Sequence, residues 1–345
     1  MEKMAQRKPV KVSVVALPES TPAALYGLYE VLSSVGVVWA EVTGEGDGVP
    51  LMDVQIVSTD GKDFVSSIGT PIAPHASIHH VNRTDIILTT DLTLSPDMDI
   101  AHAWPAMTDW IRAQYEQGAT VCSVCTGSVV LAATGLLDGQ EATTHWAATE
   151  LMKSQFPEVK LKPERILVPT GPDHRVITSG GSSAWEDLAL YLISRYCGKT
   201  EAIRATKLFL LGDRSEGQLL FAALLQPRQH EDAIIADCQA WLAMNYHEMN
   251  PVGRMIARSG LTERTFKRRF QTATGYSPMD YVQTLRIEEA KQSLESDDGP
   301  IDDIAHSIGY QDPAFFRRLF KKRTGVTPGR YRQRYQVFTR YSDSP

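Results

Sequence analysis

The sequence predicts two units of different class: a mostly parallel α/β sheet sandwich over residues 1–198, and an all-helical unit over residues 230–345. Three observations predict this. Short Val- and Ile-rich runs alternate with helical patterns as far as residue 196, as in a parallel sheet with helices on both faces. From residue 230 to about 335 only helical periodicity remains. Within that stretch the chain also matches itself at an offset of 50 residues, so one structural unit is built twice.

The elements follow in order. Residues 10–17 form a Val-rich run stopped by Pro18, the pattern of a buried strand. Residues 23–34 read as a helix, with Leu25, Leu28, Tyr29 and Leu32 at helical spacing. Residues 37–42, 54–58 and 85–89 read as strands, 107–117 as a helix and 119–124 as the next strand. Residues 182–196 read as the closing helix. The segment 199–229, with a helical piece at 201–211, is the expected linker, and the polar tail 336–345 is expected to fray.

Composition narrows the function classes. The 345 residues are enough for two cores. The net charge of −6 taken whole argues against nucleic acid, but the two parts differ. Residues 1–228 hold 18 Lys and Arg against 26 Asp and Glu, net −8, whereas residues 229–345 hold 17 against 15, net +2. Placement matters more than the total. Arg317, Arg318, Lys321, Lys322 and Arg323 crowd one helix, behind a turn carrying Asp297, Asp298, Asp302 and Asp303. No run of 18 apolar residues is present, so no membrane span is expected. Residues 1–9 are polar and basic, so no secretory leader is expected. Four scattered cysteines suit a reducing cytoplasm rather than a disulfide framework, and no His and Cys set has zinc spacing.

Each repeat reads as a helix-turn-helix. Thr262 falls on Asp312, Phe266 on Phe316, Arg268 on Arg318, Phe270 on Phe320, Gly275 on Gly325, Pro278 on Pro328 and Tyr281 on Tyr331. In the first copy Met255-Ile256-Ala257 precedes Gly260, and Thr262 suits an N-cap. In the second, Ile304-Ala305 precedes Gly309, then Asp312 suits the cap and Pro313 the first helical turn. The phenylalanines face inward at four-residue spacing. The outer faces carry Arg264, Thr265, Lys267 and Arg268 in one copy, and Ala314, Phe315, Arg317 and Arg318 in the other. A short helix offering such side chains suits a major groove, with Lys321 and Lys322 further along for phosphates. Arg264, Lys267, Arg268, Arg317 and Arg318 are the candidates for groove contacts, and Thr265, Ala314 and Phe315 for base edges. The bland alternative is a helical bundle with a solvated basic face.

The stretch from Gly260 to Phe270, with Gly275-Tyr276-Ser277-Pro278, Leu285-Arg286-Ile287-Glu288-Glu289-Ala290, Gly309-Tyr310, Phe320-Lys321, Pro328 and Tyr331-Arg332, resembles the AraC/XylS family of transcription regulators. The resemblance covers residues 230–335 and implies a double-stranded DNA operator as partner. RNA polymerase is a further partner if the chain activates. Arg269 departs from the family, whose side chain there is commonly apolar.

A second stretch carries chemistry. Cys125 follows the strand ending at Val124, just before a helix starting near Gly127. That place exposes a side chain at a strand end and near a helix N-terminus, which favours a thiolate. His145, 20 residues on, suits an ion pair or a base beside it. Cys122 and Cys125 also have CxxC spacing, but Cys122 falls inside the strand. A structural cysteine, a ligand pocket, catalysis and redox sensing all stay open.

Val124-Cys125-Thr126-Gly127, Gly135-Leu136-Leu137-Asp138-Gly139 and Thr143-Thr144-His145-Trp146, with Asp187, resemble the class I glutamine amidotransferase-like, or PfpI/ThiJ-like, domain. The resemblance covers residues 10–197 and implies a flavodoxin-like fold. An N-terminal domain of this kind occurs in a subgroup of AraC/XylS regulators, where it is thought to sense small, often nitrogen-containing metabolites without turning them over. Glu19, Cys125, Thr126, His145 and Asp187 are then the effector-pocket candidates, with no catalytic residue, metal or cofactor expected, and a homodimer implied. Two departures bear on this. Thr89-Thr90-Asp91 stands where enzymes of the fold have a glycine pair helping to bind an oxyanion, and the loop holding Glu19 is unlike the usual one. The alternative is a hydratase- or deglycase-like cysteine enzyme tethered to DNA.

Overall fold

Val12 of the first strand lies between Val54 and Ile86 of its two neighbours, all running parallel, and from this register the sheet is built outward. The computed structural model describes residues 8–95, 98–212, 230–296 and 298–342. It divides into two compact units, Met1–Gln218 and Leu219–Pro345.

The first unit begins with β1 (Val10–Val15), α1 (Pro22–Ser33), α2 (Val38–Thr43) and β2 (Met52–Ser58). There follow the hairpin β3 (Phe64–Val65) and β4 (Pro71–Ile72), then β5 (Ala76–Ser77), β6 (Ile86–Thr89) and α3 (Pro105–Glu116). Next come β7 (Thr120–Val124), α4 (Ser128–Ala133), β8 (Glu141–Ala142), α5 (Thr149–Gln155) and β9 (Lys160–Leu161). The unit closes with β10 (Leu167–Thr170), β11 (Val176–Ser179), α6 (Trp185–Tyr196) and α7 (Lys199–Phe209). Seven strands, in the order β10-β11-β7-β6-β1-β2-β5, make one sheet among the described residues. Only the edge pair β10–β11 is antiparallel.

Strand alternation sends side chains to both faces, and each face is covered. Val12, Val14, Ile86 and Leu88 pack with Leu25, Leu28 and Leu32 of α1 and Leu188 and Leu192 of α6. Val15, Ile87 and Val121 pack the other way, with Met107 and Ile111 of α3 and Val129 and Val130 of α4. Full burial of each such side chain stabilises the unit by about 1.5–3 kcal/mol.

Two expectations are corrected. The strand expected over 37–42 is the helix α2. None of its residues is buried, so the valines have no sheet face to join, and Gly44 ends the helix in the left-handed conformation. Residues 199–212 of the expected linker belong to the first unit instead. Ala205 of α7 is buried against the first core, with Ala202, Phe209 and Leu211 beside it, and the Gly212 N–H donates to Glu186. Residues 213–229, the rest of the expected linker, lie outside the described residues. No helix is long and apolar enough to cross a membrane among the described residues.

The second unit is helical: α8 (Ala233–Asn245), α9 (Pro251–Ser259), α10 (Glu263–Thr274), α11 (Pro278–Ser296), α12 (Ile301–Ser307), α13 (Pro313–Thr324) and α14 (Pro328–Ser342). The α14 backbone continues past 336, where fraying is expected, and residues 343–345 lie outside the described residues. Each helix-turn-helix has its own core. Phe266 and Phe270 are 5.5 Å apart, with Tyr281 edge-on to Phe270 at 82°. Their counterparts Phe316 and Phe320 are 5.7 Å apart, with Tyr331 edge-on to Phe320 at 83°. Thr274 and Thr324 each donate to the carbonyl four residues back.

Two glycines separate close packing from backbone strain. A Cβ on Gly127 would lie 2.5 Å from the Thr90 carbonyl oxygen, while one on Gly260 would meet nothing within 4 Å but sit at a φ of +65°. Gly127→Ala is expected to cost about 1–3 kcal/mol of the first unit's stability through overpacking. Gly260→Ala is expected to cost the second unit about 1 kcal/mol through its left-handed backbone alone. Urea unfolding of both variants checks this.

Candidate functional site

The described structure brings the predicted reading residues onto two capped helices. The Thr262 hydroxyl accepts from the Thr265 N–H at 3.4 Å and donates to the Thr265 hydroxyl at 2.9 Å. Asp312 accepts from the Ala314 N–H at 2.8 Å, and Pro313 occupies the first turn. Buried phenylalanines turn one face of each helix inward. Arg264, Lys267 and Arg268 are therefore exposed on α10, and Ala314, Phe315, Arg317, Arg318, Lys321 and Lys322 on α13. Thr265 is half-buried and already engaged in the cap.

Charge on this face is partly paired within the chain. Lys267 meets Glu263 at 2.5 Å, Arg318 lies 3.8 Å from Asp312, and Arg317 pairs with Asp302. Exposed pairs of this kind contribute about 0–1 kcal/mol, so a phosphate can displace them. Arg264, Arg268, Lys321 and Lys322 make no ion pair among the described residues.

Arg269, the departure from the family pattern, faces elsewhere. Its guanidinium makes a two-pronged contact with Asp232, at 2.7 and 2.9 Å, and Asp232 also caps α8. The pair holds the Asp232 carboxyl below its ordinary pKa. Its counterpart in the second copy, Leu319, is simply buried.

In the first unit, sheet register assembles the other site. Thr89 pairs with Ser123 and Ser179 with Val124, so the segments leaving β6, β7 and β11 emerge side by side at the strands' carboxyl ends. Cys125 follows β7 with a φ of +56°, Asp91 lies just past β6, and Ser182 lies just past β11. The Cys125 Sγ and Ser182 Oγ are 3.5 Å apart. Ser182 also donates to Asp91 Oδ2 at 3.4 Å, and the Thr21 hydroxyl donates to the same oxygen. Asp91 Oδ1 is buried without a partner among the described residues.

The expectation of an exposed thiolate is corrected. Cys125 is 4% exposed, and burial pushes its thiol pKa up, with the Asp91 charge adding to the shift. Burial also raises the Asp91 pKa and lowers that of His145. Burial thus disfavours the charged form of each of these three groups. The Thr126 hydroxyl is bonded to both the N–H and carbonyl of Leu92, at 2.7 and 2.8 Å. His145 Nδ1 accepts from the Ala147 N–H at 3.2 Å, and the Asp91 charge partly offsets the lowering of its pKa. Glu19 accepts from the Trp104 indole N–H at 3.3 Å, and Asp187 lies in the first turn of α6. Asp91 and Ser182 were not legible as site residues from the chain alone. The usable signal was Asp91 closing the strand run next to the one that ends before Cys125.

Residues 255–334 match the helix-turn-helix domain family, and residues 51–195 match the DJ-1/PfpI family. The HTH-type transcriptional regulator CdhR of Pseudomonas aeruginosa is 27% identical over 282 residues, covering 80% of each chain. The regulator GbdR of the same species is 25% identical over 282 residues, covering 80% of this chain and 74% of its own. Isonitrile hydratase of Pseudomonas putida is 30% identical over 190 residues, covering 55% of this chain and 73% of its own.

The raised Asp91 pKa has a definite sign. The folded state holds that proton more tightly, so its contribution is complete below the unfolded value of about 3.9 and is lost as pH rises through the folded one. Asp91→Asn cannot titrate. Thermal melts are expected to show the variant gaining on the wild type from about pH 4 toward neutrality, and parallel pH profiles would refute this.

Proposed function

The chain belongs to the AraC family of DNA-binding transcription regulators, with a DJ-1/PfpI domain ahead of its helix-turn-helix unit, and from that premise we propose how it reads DNA and what controls it. Helices α10 and α13 enter successive major-groove segments of a double-stranded operator, about 34 Å apart. Arg264, Lys267, Arg268, Arg317 and Arg318 supply the groove contacts, with Thr265, Ala314 and Phe315 toward base edges and Lys321 and Lys322 on phosphates. The observation that carries this reading is the pair of capped helices, alike in their aromatic backing, that leave Arg268 and Arg318 exposed at equivalent positions.

The N-terminal unit senses a small metabolite, nitrogen-containing by the family's habit, at the cluster of Cys125, Asp91 and Ser182, with Glu19, Thr126, His145 and Asp187 as further contacts. The protein acts in the cytoplasm as a homodimer, and recruits RNA polymerase where the outcome is activation. Effector and operator are coupled by linkage, so each alters the other's affinity by the same factor.

The resemblance to isonitrile hydratase favours a second reading, an enzyme built on the same unit. A buried neutral thiol beside a carboxyl supports sensing over turnover, because the thiolate is the nucleophile. Incubating the full chain with an alkyl isonitrile separates the two. Turnover abolished by Cys125→Ala would favour the enzyme, whereas a ligand-induced melting shift without turnover would favour the sensor.

For the DNA face, Arg268→Ala and Arg318→Ala are each expected to weaken binding by about 1–3 kcal/mol, on a duplex selected from a random pool by the wild-type chain. Lys321→Ala is expected to lower the salt slope by about one instead. Fluorescence anisotropy at fixed salt, then across a salt series, checks both.

A further inference from the structure

The two helix-turn-helix copies share a turn conformation but not its surroundings. Gly260, in the first turn, borders open space. Gly309, in the second, has a φ of +92°, and a Cβ there would lie 2.3 Å from the His247 carbonyl oxygen. The second turn is therefore packed directly on the loop between α8 and α9, the loop that leads into the first copy.

A single side chain locks that contact. Arg286 of α11 is 8% exposed. Its Nε donates to the Tyr246 carbonyl at 2.7 Å, Nη2 to Glu248 at 2.8 Å and Nη1 to Gly309 at 3.0 Å. Two of these acceptors belong to the loop before the first motif and the third to the turn of the second. The guanidinium also lies 5.1 Å from the Tyr310 ring centre. A planar fork can serve three fixed carbonyls, whereas a lysine ammonium at the same depth presents one point. A second tie runs from the end of α13 to the start of α11, where Arg323 donates to Asp280 at 2.9 Å.

We propose that Arg286, supported by the Arg323–Asp280 pair, is a positioning residue that fixes the separation of α10 and α13 and so the base-pair spacing the regulator accepts. The inference rests on both helices reading the groove. If the two copies were joined only through α11, bending of that helix would let the chain follow operators of several spacings. With the turn clasped at three carbonyls, one spacing is favoured.

The test uses full-length chain and a duplex selected from a random pool, plus versions with one base pair inserted or removed between the two protected segments. One pair moves the segments by about 3.4 Å and turns them by about 35°. Wild type is expected to lose about tenfold in affinity on each altered duplex. Arg286→Lys is expected to bind the parent duplex about tenfold more weakly and to reduce the spacing penalty to about twofold. Asp280→Asn, at an exposed site and with an amide oxygen still able to accept from Ser277, is expected to lower the penalty partway with wild-type helicity. If Arg286→Lys lacks wild-type helicity by circular dichroism, Asp280→Asn decides alone. An undiminished penalty in the folded variants overturns the proposal, as does a loss that is equal on all three duplexes. A wild type indifferent to spacing overturns the two-helix reading beneath it, a result distinct from either.

Discussion

Everything the second unit can do depends on where its aromatic rings stop. In each copy two phenylalanines, one helical turn apart, meet a tyrosine edge-on from the following helix. Ring edges carry partial positive charge and ring faces negative, so this arrangement has a preferred angle as well as a preferred distance. The near-identity of 82° and 83° in the two copies shows the same constraint solved twice. With the inner face fixed, helical geometry alone decides which side chains point away. The arginines on the outer face need no interaction of their own to hold them there.

The first unit rests on a constraint of a different kind. Parallel strands emerge with their carboxyl ends together, so three loops far apart in sequence converge on one cysteine. Burial then decides their chemistry. A thiol, a carboxyl and an imidazole packed out of water all shift toward their uncharged forms. The left-handed backbone at Cys125 is the sort of local strain that persists where a site is built. That turn keeps the Cys125 thiol buried.

Much of this was legible in the sequence. The repeat gave both caps, both turn glycines and the inner aromatics, because helical spacing and capping are local rules. The class of the first unit was legible from alternation of strand and helix. What escaped was set by contacts distant in sequence. Residues 37–42 have the composition of a strand, but no face of the sheet was left for them, and α2 lies at the surface instead. Residues 199–212 read as a connector because only tertiary packing shows Ala205 closing the first core. Asp91 and Ser182 gain their meaning from strand register, which no single segment carries. Arg269 stands out from the family pattern in the sequence, but its reason is Asp232, 37 residues away.

That exception makes the duplicated unit unequal. Its first copy is fastened to α8 by a partly exposed ion pair, at the position where the second copy uses a buried leucine. Concentrated electrolyte screens the former and leaves the latter untouched. Acidification neutralises Asp232 only below its depressed pKa, and again the leucine is indifferent. Loosening under brine or acid should therefore start at one grip while the other holds, giving the twin motifs separate thresholds of failure.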